Sequence, residues 1–556
     1  MGNTRIVLAS AATASLLMVR LSDNQYTIGS YISVFSAIIA LEVFCLLLWK
    51  HALYPFFFSP LRKLPGPKGG SWIMGHGPTL ISSPTLVPLV KWMEEIPNDG
   101  LLRYLTFFNL ERITVTSVQA VAEITVNKSY EFQKPSMMRN TLIQLLGNGL
   151  VVAENDAHRF QRRNLQPAFT FRHVKELYPM FWHHSCALAD SLMQIKSETS
   201  NSDAGERGRS GEVEVEISGW LSRSMQDIVG QAACGLEFGA LQDPDNELSR
   251  SYNSILKYST SARFMAILGF LFPSALLQSI PTRTNRTVRQ GRAAFRRECI
   301  RLIQTKKQLI ANKESSGIDI LSVAMQSGAF TDEGLTDQLM TFLFAGHETT
   351  SNAAGWALYL CACYPEVQRR LREEIRAHMP SPSTPEGRAA VDHKVIDSMP
   401  YLRAFCSEVL RFTPPVSATF REVAGHNTTL LGTHLPKGTV IVIAPAALQK
   451  NKDLWGPDAG VFKPERWLGE KNVGSGGATN HLAFSTFLHG PRSCIGQGFS
   501  KGVFACVIAS LVGSFEWDMK DPALKDMTTM LGTMKTGITT RFNNGLFMKI
   551  KYVEGW

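Results

Sequence analysis

The stretch that decides the fold is Phe487-Leu-His-Gly490-Pro-Arg492-Ser-Cys494-Ile-Gly496. A cysteine sits in a loop bracketed by two glycines, with an arginine two residues before it. An apolar run with helical spacing follows over 498–511. An isolated cysteine in a glycine turn is most often a buried structural thiol. The five fixed residue types of F-x-x-G-x-R-x-C-x-G arise by chance in roughly one in 10⁴ chains of this length at ordinary residue frequencies. The pattern therefore asks for a chemical reason.

Two further motifs stand upstream. Ala345-Gly346-His347-Glu348-Thr349-Thr350 lies inside a long helical pattern over 335–360. A glycine there costs roughly 1 kcal/mol relative to alanine, so it wants a purpose. The adjacent acid and alcohol, Glu348 and Thr349, are a pair that can pass a proton to a reacting group. Thr349 can also bond a backbone carbonyl and locally open the helix. In Glu408-Val-Leu-Arg411, acid and base share one helix face. Such a pair on a surface contributes about 1 kcal/mol or less. Its flanks, Ala404-Phe405-Cys406 and Phe412, are apolar, so burial is expected. Arg466, in Phe462-Lys-Pro464-Glu-Arg466-Trp467, is the expected third member.

From about Pro65 to the C-terminus the chain resembles the cytochrome P-450 family, whose haem-ligand loop has the spacing found around Cys494. The resemblance implies a mainly α fold with small β-sheets. Cys494 would be the axial ligand of the iron in haem b, its thiolate favouring O–O cleavage over oxygen carriage. Gly490 and Gly496 would allow close approach to the flat macrocycle. Phe487 would shield the sulfur. Arg492, Arg421, Arg162 and His158 would serve the propionates; the family often has Trp where this chain has His158. Glu348 and Thr349 would deliver protons to bound O2, with Gly346 making room for it. Glu408, Arg411 and Arg466 would form a buried structural triad, and Trp467 stands where Phe is frequent.

The 556 residues, with 44% hydrophobic and 19% charged, describe a globular core. The net charge of +10 suits an anionic membrane or an acidic partner. Lys and Arg are dispersed and no nucleic-acid motif is present, so no nucleic-acid partner is expected. Nine scattered cysteines make no disulfide framework. Cys361 and Cys363 lack a second pair for zinc.

The first 50 residues read as a membrane anchor, with an apolar span over about 31–49. Lys50, Arg62, Lys63 and Lys68 follow it and orient the remainder toward the cytosol. The expected location is the endoplasmic reticulum membrane, with a single-pass anchor in the lipid bilayer. A shorter apolar stretch, 6–19, reads as peripheral. Residues 51–70 carry Leu64-Pro65-Gly66-Pro67-Lys68-Gly69-Gly70 and read as a semi-rigid hinge. The haem-thiolate catalytic domain would be 71–556. Three sequons, at Asn127, Asn285 and Asn427, would be silent in a cytosolic domain.

Helical spacing also appears over 220–233, 365–378 and 399–412, and a strand-like run over 438–444. Residues 197–211, 380–386 and 471–480 read as surface loops. The segment 264–280 is strongly apolar, either a core helix or a piece that dips into the bilayer. Pocket candidates are Phe344, Ala345, the 416–419 segment with Val416, Ala418 and Thr419, and the hairpin Phe542-Asn-Asn-Gly545. They are mostly small or apolar, which suits a lipophilic small molecule. The resemblance implies a monooxygenase fed NADPH-derived electrons by a separate NADPH-cytochrome reductase, with a cytochrome b-type donor as a second source. Arg159, Arg163 and Lys501 would give that partner a basic docking face. The motif set is similar to that of fungal members that tailor terpenoids, polyketides or alkaloids. Fatty-acid or sterol hydroxylation, a haem-thiolate isomerase and a non-catalytic haem carrier or sensor are the alternatives. The Glu348–Thr349 pair favours an oxygenase, because peroxide rearrangement needs no proton relay to O2.

Overall fold

The computed structural model describes residues 28–82, 87–202, 212–246, 249–251, 269, 274–313, 319–389, 391–469, 474–536 and 539–556. The apolar stretch 6–19, loop residues 203–211 and 471–473, and most of 264–280 lie outside these.

The axis is the helix Asp332–Cys363, 32 residues long, or about 48 Å. Thr331 caps it, its side chain accepting the Gly334 N–H. After an exposed acidic first turn, small and apolar residues predominate and most positions from Leu335 on are buried. Helix Ile217–Cys234 packs most extensively along it, and Arg283–Ala311, Gln497–Ser514 and Pro400–Phe412 complete the surround. Helix Pro365–His378 lies where the spacing predicts, Pro400–Phe412 starts one residue later than expected, and Ile217–Cys234, Asp332–Cys363 and Gln497–Ser514 extend the predicted cores by a few residues. The stretch expected to be a loop from 197 begins instead as the end of helix Tyr178–Ser202.

Gly346 also has a packing role. A Cβ there would stand 3.2 Å from both methyls of Val229 on helix Ile217–Cys234. The missing side chain lets two helices close on each other.

The sheets are small. One has five strands in the order Leu101–Leu105, Glu111–Val115, Val440–Ile443, Thr419–Val423, Phe132–Gln133. Another joins Glu212–Glu216, Phe547–Tyr552 and Phe515–Met519, and two are hairpins. The C-terminal residue is docked, with Trp556 Nε1 donating to the Met379 carbonyl at 3.0 Å.

The apolar helix Ile28–Leu48 does not end at Trp49. It continues as wider π turns over Trp49–Phe58, which accommodate Pro55 and its missing N–H. The stretch Ile32–Phe58 is long and apolar enough to cross a membrane and is not buried by the rest of the chain. Helix Gln497–Ser514 passes the same test but is mostly buried, a core helix. The base of the first helix is tied down. Asn109 Nδ2 donates to the carbonyls of His51 at 3.0 Å and Trp72 at 2.7 Å. Arg103 Nη2 donates to Pro55 O at 2.5 Å, and Ser59 Oγ to Glu111 Oε2 at 2.8 Å. The Pro/Gly stretch is pinned as well: the Arg103 N–H donates to Pro65 O at 2.8 Å. A Cβ on Gly66 would fall 1.9 Å from the Arg103 carbonyl oxygen.

Candidate active site

The cysteine loop is shaped by its backbone. Gly490 has φ +73°, and a Cβ there would stand 2.1 Å from the Thr125 carbonyl oxygen, so only glycine fits. Leu488, at φ +55°, takes a conformation that costs an L-residue energy, and the loop holds it there. Cys494 N–H donates to the Phe487 carbonyl at 2.9 Å. Gly496 begins helix Gln497–Ser514. A Cβ on Gly496 would meet protein only at ordinary distance, 3.9 Å from Phe169. Phe169 in turn packs 5.5 Å from Phe342, which brings the long helix opposite the cysteine loop.

Cys494 has exposed surface of its own, yet burial is the main influence on its thiol and pushes its pKa up. The two agree if the open side of the sulfur faces an opening within the fold. The Gly496 N–H and the charge of Arg162 pull the other way. A bound metal cation would decide the balance, since a coordinating thiol is deprotonated outright.

Beside the loop is a buried group of cations. Arg492 Nη1 donates to the carbonyls of Ser129 at 3.1 Å and Phe132 at 2.8 Å. Its Nη2 pairs with Glu154, and its Nε is buried with no hydrogen-bond partner. Arg421 is held at about 10, chiefly by burial and then by Arg492. Lys134 is held at about 7 by burial, Arg421 and Arg492. His158, accepting or donating at Tyr130 OH 3.2 Å away, is held at about 4 by burial, Arg492, Lys134 and Arg162, so it is neutral near pH 7. Lys134, Arg421 and Arg492 face one carboxylate, Glu154. Buried charge needs a partner, and this surplus of cations with an orphan Nε fits the two propionates of a haem. The exposed Cys494 and the lack of any close neighbour at a Gly496 Cβ fit its ring. Arg162 Nη1 donates to the Ser493 carbonyl at 2.6 Å, beside the cysteine, and its charge reaches both His158 and Cys494.

Glu348 is buried on the long helix, and its Oε1 accepts from Thr539 Oγ1 and Arg541 Nε. Thr349 Oγ1 donates to the Ala345 carbonyl at 2.8 Å, the back-bond its position suggested. His347 shares a 2.7 Å hydrogen bond with Ser222 and is held at about 3, chiefly by burial.

The expected triad is assembled. Arg411 meets both oxygens of Glu408 at 2.7 Å and the carbonyls of Gln449, Ala459 and Val461. Arg466 Nε donates to Glu408 Oε1 at 3.1 Å. Trp467 Nε1 donates to Glu408 Oε2 at 2.9 Å, a bond that Phe could not make.

Of the pocket candidates, Phe344 is buried, and Ala345, Val416, Ala418 and Thr419 are half-buried. Thr419 Oγ1 is occupied by Arg421 Nη1 at 3.1 Å. Phe542 turns to the body of the long helix, packing 5.3 Å from Trp356 over Gly355, and the position of a Gly545 Cβ is against Glu216. On the expected docking face, Arg159 pairs with Asp156 at 2.5 Å, while Arg163 and Lys501 are exposed. Lys134, Glu154, Thr539 and Arg541 carried no pattern that marks them in the sequence. For the last two the only local signal is a polar run, Thr539-Thr540-Arg541, at the start of a short strand, Thr540–Phe542.

A cysteine loop, a cationic cradle and a helix with an acid–alcohol pair define a haem-thiolate site. Comparison with known proteins agrees. The cytochrome P-450 family model matches residues 65–542. The chain is 42% identical over 532 residues to cytochrome P-450 monooxygenase sphH of Aspergillus fumigatus, across 95% of each chain. It is 38% identical over 551 residues to cytochrome P-450 monooxygenase FUM15 of Gibberella moniliformis, across 90% of each. It is also 38% identical over 602 residues to cytochrome P-450 monooxygenase ALT8 of Alternaria alternata, across all of each. The chain belongs to the cytochrome P-450 family. It is a monooxygenase, an oxidoreductase that incorporates oxygen from O2 using electrons from a redox partner.

Proposed function

We propose that this chain inserts one oxygen atom of O2 into a lipophilic small molecule as a tailoring step of fungal secondary metabolism, acting on a terpenoid, polyketide or alkaloid. The balance is substrate C–H, O2, NADPH and H⁺ giving C–OH, H2O and NADP⁺. The electrons come from an NADPH-dependent flavin reductase docking near Arg163 and Lys501. The apolar helix anchors the enzyme in the endoplasmic reticulum membrane with the catalytic part in the cytosol.

Haem b supplies the oxygen activation and electron chemistry when bound. The chain's residues do the rest. Cys494 ligates the iron, and Phe487 and the loop keep water from the sulfur. Arg492, Arg421, Lys134 and His158 hold the propionates, and Arg162 stiffens the loop at Ser493. Glu348 gives a proton and Thr349 passes one on. Phe344, Ala345, Val416 and Ala418 line the substrate side and orient the C–H bond. The observation that carries this reading is the exposed Cys494 beside a buried surplus of positive charge.

The test is the CO-difference spectrum of reduced microsomes holding the chain, beside Cys494→Ala. A strongly red-shifted Soret band that disappears in the variant is expected. A bound haem with an unshifted CO band would mean that the sulfur is not a thiolate ligand, and the oxygenase reading would give way to a carrier.

A further inference from the structure

The carboxylate of Glu348 is gripped from outside its own helix. Oε1 accepts from Thr539 and Arg541, 191 and 193 residues further on. Oε2 is buried with no hydrogen-bond partner. A carboxylate has about four acceptor positions, so this one is bound on one side and open on the other. Charge-assisted bonds of this kind are the strong ones and fix geometry as well as energy.

The grip is tied to the pocket. Thr540, between the two gripping residues, shares a 2.5 Å hydrogen bond with Ser417, and its N–H donates to the Pro415 carbonyl at 3.1 Å. Ser417 lies in the 416–419 segment expected to wall the substrate, and Pro415 immediately precedes it. Asn352, one turn beyond Glu348, donates to Thr539 Oγ1 at 3.3 Å. The Arg541 side chain is 28% exposed and that of Glu348 7%, so the guanidinium stands between the buried acid and water.

We propose that Arg541, with Thr539, is a positioning residue for proton delivery by Glu348, and that the segment 539–541 carrying them links the pocket wall to the acid. Arg541 fixes Oε1, which leaves Oε2 as the oxygen that carries the proton. The O–H bond at Oε2 breaks and its proton passes through water to Thr349, which takes it as it releases its own; a proton from solvent hydronium, relayed by water to Oε2, then restores the carboxyl. The inference rests on Glu348 being the acid.

The test uses the full-length haem-loaded chain and needs no substrate. Dithionite-reduced protein is mixed with aerated buffer, and the return of ferric absorbance is timed in H2O and in D2O. Glu348→Gln and Arg541→Gln are each expected to slow it at least threefold and to shrink the isotope effect. Arg541→Lys should recover part of the rate, and Thr539→Val should fall between. The double variant Glu348→Gln/Arg541→Gln should be no slower than Glu348→Gln alone, and its melting temperature should fall by less than the sum of the singles. Where Arg541→Gln fails to hold haem, Arg541→Lys and Thr539→Val decide. Parent-like timing in the Arg541 and Thr539 variants, with Glu348→Gln slow, overturns the grip alone. Parent-like timing in Glu348→Gln overturns the reading beneath it and the grip together.

Discussion

Glu408 accepts hydrogen bonds from Arg411 Nε and Nη2, Lys463 N, Arg466 Nε and Trp467 Nε1. Removing one donor from a buried charge leaves part of its desolvation uncompensated. Trp467→Phe keeps an aromatic ring and loses that donor. With the others in place, it is expected to destabilise by about 1–2 kcal/mol, measured by unfolding of the haem-loaded protein. His347 gives a pH prediction. Burial holds it neutral in the fold down to about 3, against an ordinary value of 6.5. Between those values the unfolded chain binds a proton that the folded chain does not, so stability falls as pH drops from 6.5 toward 3. His347→Gln can still bond Ser222 but does not titrate, and a shallower loss in acid melting curves is expected.

These residues differ in how openly the sequence declares them. The Cys494 loop, the Glu348–Thr349 pair and Glu408-Val-Leu-Arg411 are local patterns, readable because their members are neighbours. Arg466 is readable through a short motif of its own. Lys134, Glu154, Thr539 and Arg541 are single residues whose partners arrive from far along the chain, and a lone charge is most often solvated. Tertiary approach alone gives them a role, so no spacing announces them.

At the scale of elements, the long helix and its neighbours follow from apolar periodicity, and their packing explains a residue that the periodicity left open. Gly346 lets Ile217–Cys234 approach at Val229. Gly346→Val is expected to cost about 2 kcal/mol through overpacking, with Val229→Ala restoring at least half. Melting temperatures of the two singles and the double variant check this. The CO band should keep its position throughout, whereas a glycine reserved for oxygen would shift ligand binding first. The stretch 49–58 is the reverse case. Lys50 and Pro55 argue for an ending in the sequence, and π turns carry the helix on.

The whole molecule joins an exposed apolar helix to a helical body through a junction held by Asn109, Arg103 and Ser59. Around it Phe57, Phe58, Trp72 and Ile73 are exposed. A chain lacking residues 1–48 is therefore expected to sediment with membranes after a high-salt wash. The same chain with Phe57→Ser, Phe58→Ser and Trp72→Ser should move to the supernatant. Recovery of the simple truncation in the supernatant would show that the first helix alone binds lipid.

The pinned junction also bears on how electrons arrive. A body on a slack tether tumbles and presents every side in turn. With the helix in a bilayer, as proposed above, a body pinned at its foot would keep one height and one tilt over it. Its meetings with a membrane-anchored donor would then become a search by lateral diffusion, in two dimensions. The rate of electron supply would follow the density of donor in the membrane rather than its concentration in the cell.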